Sequence, residues 1–186
     1  MNLPNKLTCL RMLMVPFFVA AMVWPFSSHY LWALVLFVTA SFTDMLDGKI
    51  ARKRGLITDF GKFMDPLADK ILVTSALILF VQLWVTPAVV IIVIIAREFI
   101  VTSLRLIAAP KGIVIAADIF GKMKTVSQMI WVAATILQMY LEEELLIGVS
   151  ALAGLNLVLM WATLALTVIS GCNYLWKNRA VLSDMQ

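Results

Sequence analysis

Asp44-Met45-Leu46-Asp47-Gly48-Lys49-Ile50-Ala51-Arg52, then eight residues, then Gly61-Lys62-Phe63-Met64-Asp65-Pro66-Leu67-Ala68-Asp69: this stretch decides how the chain is read. Asp44 and Asp47 are three positions apart, and Asp65 and Asp69 are four apart. If both halves are helical, each pair shares one helix face. Two like charges ~4 Å apart at an effective dielectric of ~20 repel by ~4 kcal/mol. Converging carboxylates therefore take up protons or bind cations. Asp59 falls outside the spacing and reads as a loop or cap residue ahead of the next apolar run.

The surroundings exclude an ordinary soluble domain. The chain has 186 residues, of which 62% are hydrophobic and only 14% charged. That composition points to an all-α polytopic membrane protein, a single domain over 1–186. Six hydrophobic spans are expected near 10–26, 30–48, 66–84, 87–108, 119–140 and 145–176. Backbone groups in lipid must be satisfied internally, so such spans are read as helices. A short interfacial helix is expected before the first span, because Leu3, Leu7 and Leu10 recur at helical spacing after Asn2 and beside Pro4. No small-residue cleavage site follows the first apolar run, so that run is read as a retained helix. Cys9 and Cys172 give neither a disulfide framework nor metal-ligand spacing.

The connections alternate in charge. Trp24–Tyr30 and Gln82–Pro87 hold no Lys or Arg, and the third connection on that side carries Glu142, Glu143 and Glu144. The basic residues fall on the other side or on helix ends facing it. The positive-inside rule then predicts a cytoplasmic (inner) membrane protein with both termini and the Asp-rich segment cytoplasmic.

Carboxylates are hard oxygen ligands that suit Mg²⁺ or Mn²⁺. Four of them suffice for two divalent ions side by side, with phosphate oxygens completing the shells. Gly48 and Gly61 would let a ligand approach closely. Arg52 can pair with a phosphate in a bidentate way. Lys49, Lys53 and Arg54 read as topology signals.

The pattern D-x2-D-G-x2-A-R-x8-G-x3-D-x3-D, matched by Asp44, Asp47, Gly48, Ala51, Arg52, Gly61, Asp65 and Asp69, resembles the signature of the CDP-alcohol phosphotransferases. The resemblance covers essentially the whole chain. It implies an enzyme that cleaves the pyrophosphate of a CDP-linked donor and passes the phosphoryl-alcohol part to an acceptor hydroxyl, releasing CMP. It also implies that Asp44, Asp47, Asp65 and Asp69 are metal ligands, with Asp69 the general base. Gly48, Arg52 and Gly61 would line the CDP pocket. A homodimer is implied, and no nucleic-acid partner is expected.

The acceptor depends on other residues. Arg97 and Arg105 lie about two turns apart inside an apolar span, where charges are costly and normally functional. A bound anion is their simplest partner, with Lys122 completing its site. The segments Asn2–Arg11, Ala96–Phe99 and Gly121–Thr125 resemble bacterial members of the family that use glycerol 3-phosphate. That implies CDP-diacylglycerol as donor, glycerol 3-phosphate as acceptor and Arg97, Arg105 and Lys122 as the acceptor-phosphate clamp. Arg97 could instead pair with Glu98 or Asp118, and Arg105 could snorkel to the interface. Lys124 reads as a boundary residue. Thr8 and Arg11 fit either the pocket entrance or, for Arg11, an anchor of the first span.

Three rival readings remain. One is the same chemistry with serine, inositol phosphate or phosphatidylglycerol as acceptor. Another is a cation transporter, since intramembrane carboxylates also carry ions. A purely structural membrane subunit is the third. Glycines and an arginine interleaved with the carboxylates disfavour transport. His29, the only histidine, reads as a loop residue away from the carboxylates. Trp24, Trp32 and Trp84 read as interface anchors, and Asn156 as a bond across helices.

Overall fold

A computed structural model describes residues 3–54, 59–108, 115, 118–143 and 148–179, with the backbone alone for 3–6, 44–54, 59–63, 65, 66 and 69. Six helices follow one another: α1 Leu3–Val23, α2 His29–Arg54, α3 Asp59–Gln82, α4 Ala88–Ala108, α5 Ile119–Glu143 and α6 Ser150–Lys177. The described residues contain no strand.

Two boundaries differ from expectation. No separate interfacial helix precedes the first span, because Leu3–Val23 runs as one helix. Pro4 sits in its first turn, where a missing N–H costs no helical bond, so nothing there forces a break. Helices α2 and α3 also reach further toward each other than the apolar runs, to Arg54 and from Asp59. Hydropathy ends where the aspartates begin, but the helices do not.

The turns on the opposite side are short. The α3–α4 turn closes with Trp84 N–H donating to the Val81 carbonyl at 3.1 Å and Val85 N–H to Phe80 at 2.9 Å. This is a Schellman closure with Trp84 at φ 60°, a left-handed position that glycine usually fills. Trp84 takes it while 95% exposed, as an interface anchor would be.

Packing runs α1 on α2 and α3, α2 on α5, α5 on α6 and α6 on α4. Phe18 meets Phe37 and Phe80 meets Trp131, each pair with ring centroids 6.0 Å apart. Helix α3 touches α4 and α5 more sparsely, which leaves a crevice between them.

The polarity of α6 is inverted. The buried face of α6 is Asn156, Met160, Thr163, Thr167, Ser170 and Tyr174, while Leu155, Leu157, Val158, Trp161, Val168 and Ile169 are exposed. Thr8, Arg11, Lys124, Gln128 and Thr135 are buried as well. A water-soluble bundle would bury its leucines and expose its polar groups. Among the described residues, α6 is the one helix long and apolar enough by itself to cross a membrane.

His29 is not a loop histidine. It opens α2, is buried, and joins α1 to α5 through the Ala21 carbonyl at 2.9 Å from Nδ1 and Glu143 Oε1 at 3.3 Å from Nε2. Burying the ring against Phe26 and Tyr30 leaves its nitrogens only these protein partners to replace water. Glu142 and Glu143 likewise belong to the last turn of α5, not to a loop.

Candidate active site

Asp44, Asp47, Gly48 and Arg52 lie in the C-terminal part of α2, and Gly61, Asp65 and Asp69 in the N-terminal part of α3. The two segments are thus helical, the condition under which each aspartate pair shares a face. Their side chains lie outside the described residues. Among the described residues no group of three metal-ligating side chains occurs. The donor set itself, four carboxylates on two adjoining helices, fits hard divalent cations.

The described part of the site is a charge cluster linking α3, α4, α5 and α6. Glu98 is its hub. Its Oε1 accepts from Lys124 Nζ at 2.5 Å and from Arg97 Nη1 at 3.1 Å, and its Oε2 lies 3.9 Å from Lys70 Nζ. Lys70 also donates to Thr102 Oγ1, and Thr102 in turn donates to the Glu98 carbonyl at 2.7 Å. Among the described residues three cations thus gather on one carboxylate in a partly desolvated place, and Lys124 has a further partner outside them. Such an excess is costly unless an anion joins it.

Arg97 is held from two sides. Nη1 reaches Glu98 and Nη2 donates to Ser170 on α6. Its Nε is buried and has no hydrogen-bond partner among the described residues. Gly121 and Gly171 make room for it: a Cβ on Gly121 would stand 3.3 Å from Arg97 Nη2, and one on Gly171 3.2 Å from Arg97 Cγ. Arg105 donates from Nε to the Tyr174 hydroxyl at 2.9 Å, with its guanidinium 5.6 Å from that ring's centroid. Both arginines therefore face α6, as their spacing predicts.

The third clamp residue stands differently. Lys122 is exposed in the first turn of α5, one position from Gly121. Lys124, read as a boundary residue, is instead buried and ion-paired with Glu98. The Arg97–Glu98 pairing is present, whereas Asp118 bonds Lys177 at 3.1 Å and Asn173. The Lys177 hydrogen bond, supported by Asn173, holds the Asp118 carboxyl below the usual carboxylate range. Thr8 and Arg11 are both buried on α1, so Arg11 does not anchor that helix from its lipid face.

Sequence reasoning passed over Lys70, Glu98 as a hub, Gln128, Ser170 and Tyr174. Part of the signal was available. Glu98 is the acidic residue inside the apolar fourth span, and Lys124 and Gln128 are four apart on one face of α5.

Between α3, α4 and α5 the crevice holds a half-open cavity of about 50 Å³. Lys70, Glu98 and Lys124 stand on its walls with Thr74 and Gln128, and Leu77 and Ile94 are among its apolar lining.

A bundle with four aspartates at two helix ends beside a cationic cluster is the plan of a membrane enzyme acting on phosphates. A family model described as CDP-alcohol phosphatidyltransferase matches residues 1–169. The chain belongs to that family. It is similar to a Bacillus subtilis protein named CDP-diacylglycerol–glycerol-3-phosphate 3-phosphatidyltransferase, 43% identical over 189 aligned residues that cover 95% of each chain. A Mycobacterium tuberculosis (strain H37Rv) protein named probable phosphatidylglycerophosphate synthase is 40% identical over 178 residues, covering 93% of this chain and 79% of that one. A Haemophilus influenzae protein with the same name as the Bacillus relative is 42% identical over 136 residues, covering 69% of this chain and 72% of its own.

Proposed function

We propose that this chain transfers the phosphatidyl group of CDP-diacylglycerol to glycerol 3-phosphate, giving phosphatidylglycerol phosphate and CMP. Membership of the family and the names of its relatives support the reaction. The observation that favours a phosphorylated acceptor is the gathering of Lys70, Arg97 and Lys124 around Glu98, together with the buried Arg97 Nε that has no hydrogen-bond partner among the described residues. An acceptor bearing its own phosphate brings a net negative charge to these cations, whereas zwitterionic serine brings none.

The roles follow from the chemistry. Asp44, Asp47, Asp65 and Asp69 would hold two divalent ions, Mg²⁺ or Mn²⁺, whose contribution when bound is to neutralise the pyrophosphate and the departing CMP. Gly48, Arg52 and Gly61 bind the CDP part. Arg97 and Arg105 grip the acceptor phosphate, with Lys122 able to reach it from solvent. Asp69 takes the proton from the acceptor hydroxyl as its oxygen bonds to the lipid-linked phosphorus. The pyrophosphate P–O bond then breaks and CMP carries away the electron pair. The bundle lies in the cytoplasmic membrane with six crossings, the site on the cytoplasmic side and the acyl chains left in the bilayer. A homodimer belongs to the same proposal and rests on the family resemblance.

The test uses purified chain in vesicles with CDP-diacylglycerol, Mg²⁺ or Mn²⁺ and labelled glycerol 3-phosphate. The expected outcome is labelled phosphatidylglycerol phosphate with stoichiometric CMP. Chelation should abolish turnover, and either ion should restore it. Asp69→Asn should lower kcat by roughly 10²–10⁴-fold. Turnover with serine in place of glycerol 3-phosphate, or metal flux without CMP release, overturns the proposal.

A further inference from the structure

The cavity between α3, α4 and α5 contains a group that the proposed reaction has not yet used. Gln128 is 4% exposed and lines this cavity, yet its side-chain amide makes no hydrogen bond among the described residues. Its amide atoms are not among the side-chain atoms shut off from solvent without a partner, so they keep accessible surface that a bound hydroxyl could reach. The lining also includes polar groups, Thr74 on α3 and the paired Lys124 and Glu98. Leu77, Ile94 and Ile95 supply apolar lining. Such a lining fits a short carbon chain carrying a hydroxyl, with an anion next to it.

The cavity's place in the fold matches. Val73, on its wall, stands one helical turn after Asp69, and Lys70 is the next residue after Asp69. At the other side Glu98 follows Arg97 directly and bonds it. The space therefore lies between the position of the proposed base and the proposed phosphate clamp. Its volume of about 50 Å³ exceeds that of one enclosed water and admits a hydroxymethylene-sized group.

We propose that Gln128, with Thr74 beside it, recognises the secondary hydroxyl of the acceptor, the one that does not attack. Resting on the proposed function, this makes the cavity the subsite that distinguishes glycerol 3-phosphate from phosphorylated alcohols lacking that hydroxyl. A site built to bond a hydroxyl discriminates strongly against its absence, because the buried amide is then left unpaired.

The experiment compares glycerol 3-phosphate with propane-1,3-diol monophosphate, which keeps the phosphate and the primary hydroxyl but lacks the secondary one. It uses the full chain in vesicles with CDP-diacylglycerol and Mg²⁺. The unaltered protein should favour glycerol 3-phosphate in kcat/KM by at least about tenfold. Gln128→Met, similar in volume and apolar, should bring the two acceptors within about threefold by losing activity only on glycerol 3-phosphate. The KM for CDP-diacylglycerol should stay within about twofold, which also reports that the variant is folded. Thr74→Val, a milder change on the facing helix, should narrow the preference in the same direction. The proposal is overturned if the unaltered protein shows no preference, or if both variants keep the full preference. It is overturned equally if activity on the two acceptors falls in parallel. Absence of turnover with glycerol 3-phosphate in the unaltered protein is a different result and removes the proposed function itself.

Discussion

Arg97 shows most plainly how this chain pays for charge inside a bundle. Its guanidinium has five donors, of which Nη1 meets Glu98 and Nη2 meets Ser170. The glycines at 121 and 171 exist beside it as space, since a side chain at either would press on the arginine. A Cβ at Gly171 meets Arg97 Cγ at 3.2 Å, close to the backbone end of the side chain where little can yield. Gly171→Ala is therefore expected to displace the guanidinium by a few tenths of an ångström. The predicted result is a roughly threefold to tenfold rise in KM for glycerol 3-phosphate with the chain still folded. Steady-state kinetics with CDP-diacylglycerol saturating measures this, and an unchanged KM would sink the idea. Arg97→Lys is harsher, because one ammonium cannot span Glu98 and Ser170 together. It should cost roughly tenfold to a hundredfold in kcat/KM for the acceptor, the range of one lost hydrogen bond to a charged group.

At the scale of elements, α6 and α5 are held by polar bonds as well as by the burial of Trp131, Val132, Ile136 and Met160. Ser127 and Thr163 hydroxyls meet at 2.8 Å, and Asn156 Nδ2 donates to Gln138 Oε1 at 2.6 Å and the Ala134 carbonyl at 3.2 Å. In lipid such bonds contribute on average about 0.6 kcal/mol each. Thr163→Val should lower unfolding stability by about that amount, and Asn156→Leu by up to ~1.7 kcal/mol. Titrating detergent-solubilised chain with a denaturant would read both. The start of α5 adds a pH-dependent tie, since Asp118 bonds Lys177 of α6. The folded carboxyl titrates below its unfolded value, so the tie contributes fully above the unfolded pKa and is lost as pH falls through the folded one. Asp118→Asn should lower Tm at neutral pH, and the gap to the unaltered chain should close in acid. A gap that widens on acidification would contradict this assignment. These ties also explain what the sequence could tell. Asn156 was legible as a cross-helix bond because a lone amide in an apolar run has few other uses. The helical setting of the aspartates was legible from spacing, and the inward placement of Arg97 and Arg105 from the cost of charge in lipid. Lys124 was not, because charge counting cannot separate a boundary lysine from one turned inward by a quarter turn of helix. His29 failed for a similar reason: its partner Glu143 is 114 residues away in sequence. The start of α1 failed because proline in a first turn permits a continuous helix as readily as a new one.

For the whole molecule the question is how charged helices cross a bilayer. Helix α2 has 26 residues, about 39 Å at 1.5 Å per residue, which exceeds a hydrocarbon core of about 30 Å. In the sequence the apolar run of α2, 30–43, comes before Asp44, and that of α3, 71–81, comes after Asp69. The aspartate ends can therefore stand at the membrane border while the rest of each helix crosses. The exposed faces agree with this, with Phe17, Trp32, Ile78, Ile92 and Trp161 all outward. The α1–α2 turn and the C-terminal end of α6 should then lie on opposite sides. With Cys9 and Cys172 replaced by serine, Ser27→Cys and Asn178→Cys test this in cells. A membrane-impermeant maleimide should label the cysteine at 27 in intact cells and the one at 178 only after permeabilisation. Equal labelling of both in intact cells would mean that α2 through α6 do not cross an odd number of times between those points, as the alternation of charge requires. Labelling in the reverse order would place the aspartates, and the phosphate chemistry with them, on the side where CDP-diacylglycerol's nucleotide is not supplied. The orientation is thus a condition of the reaction, because the helix ends that carry Asp44 to Asp69 and the cluster around Glu98 must open to the compartment that holds both the acceptor and the means of removing CMP.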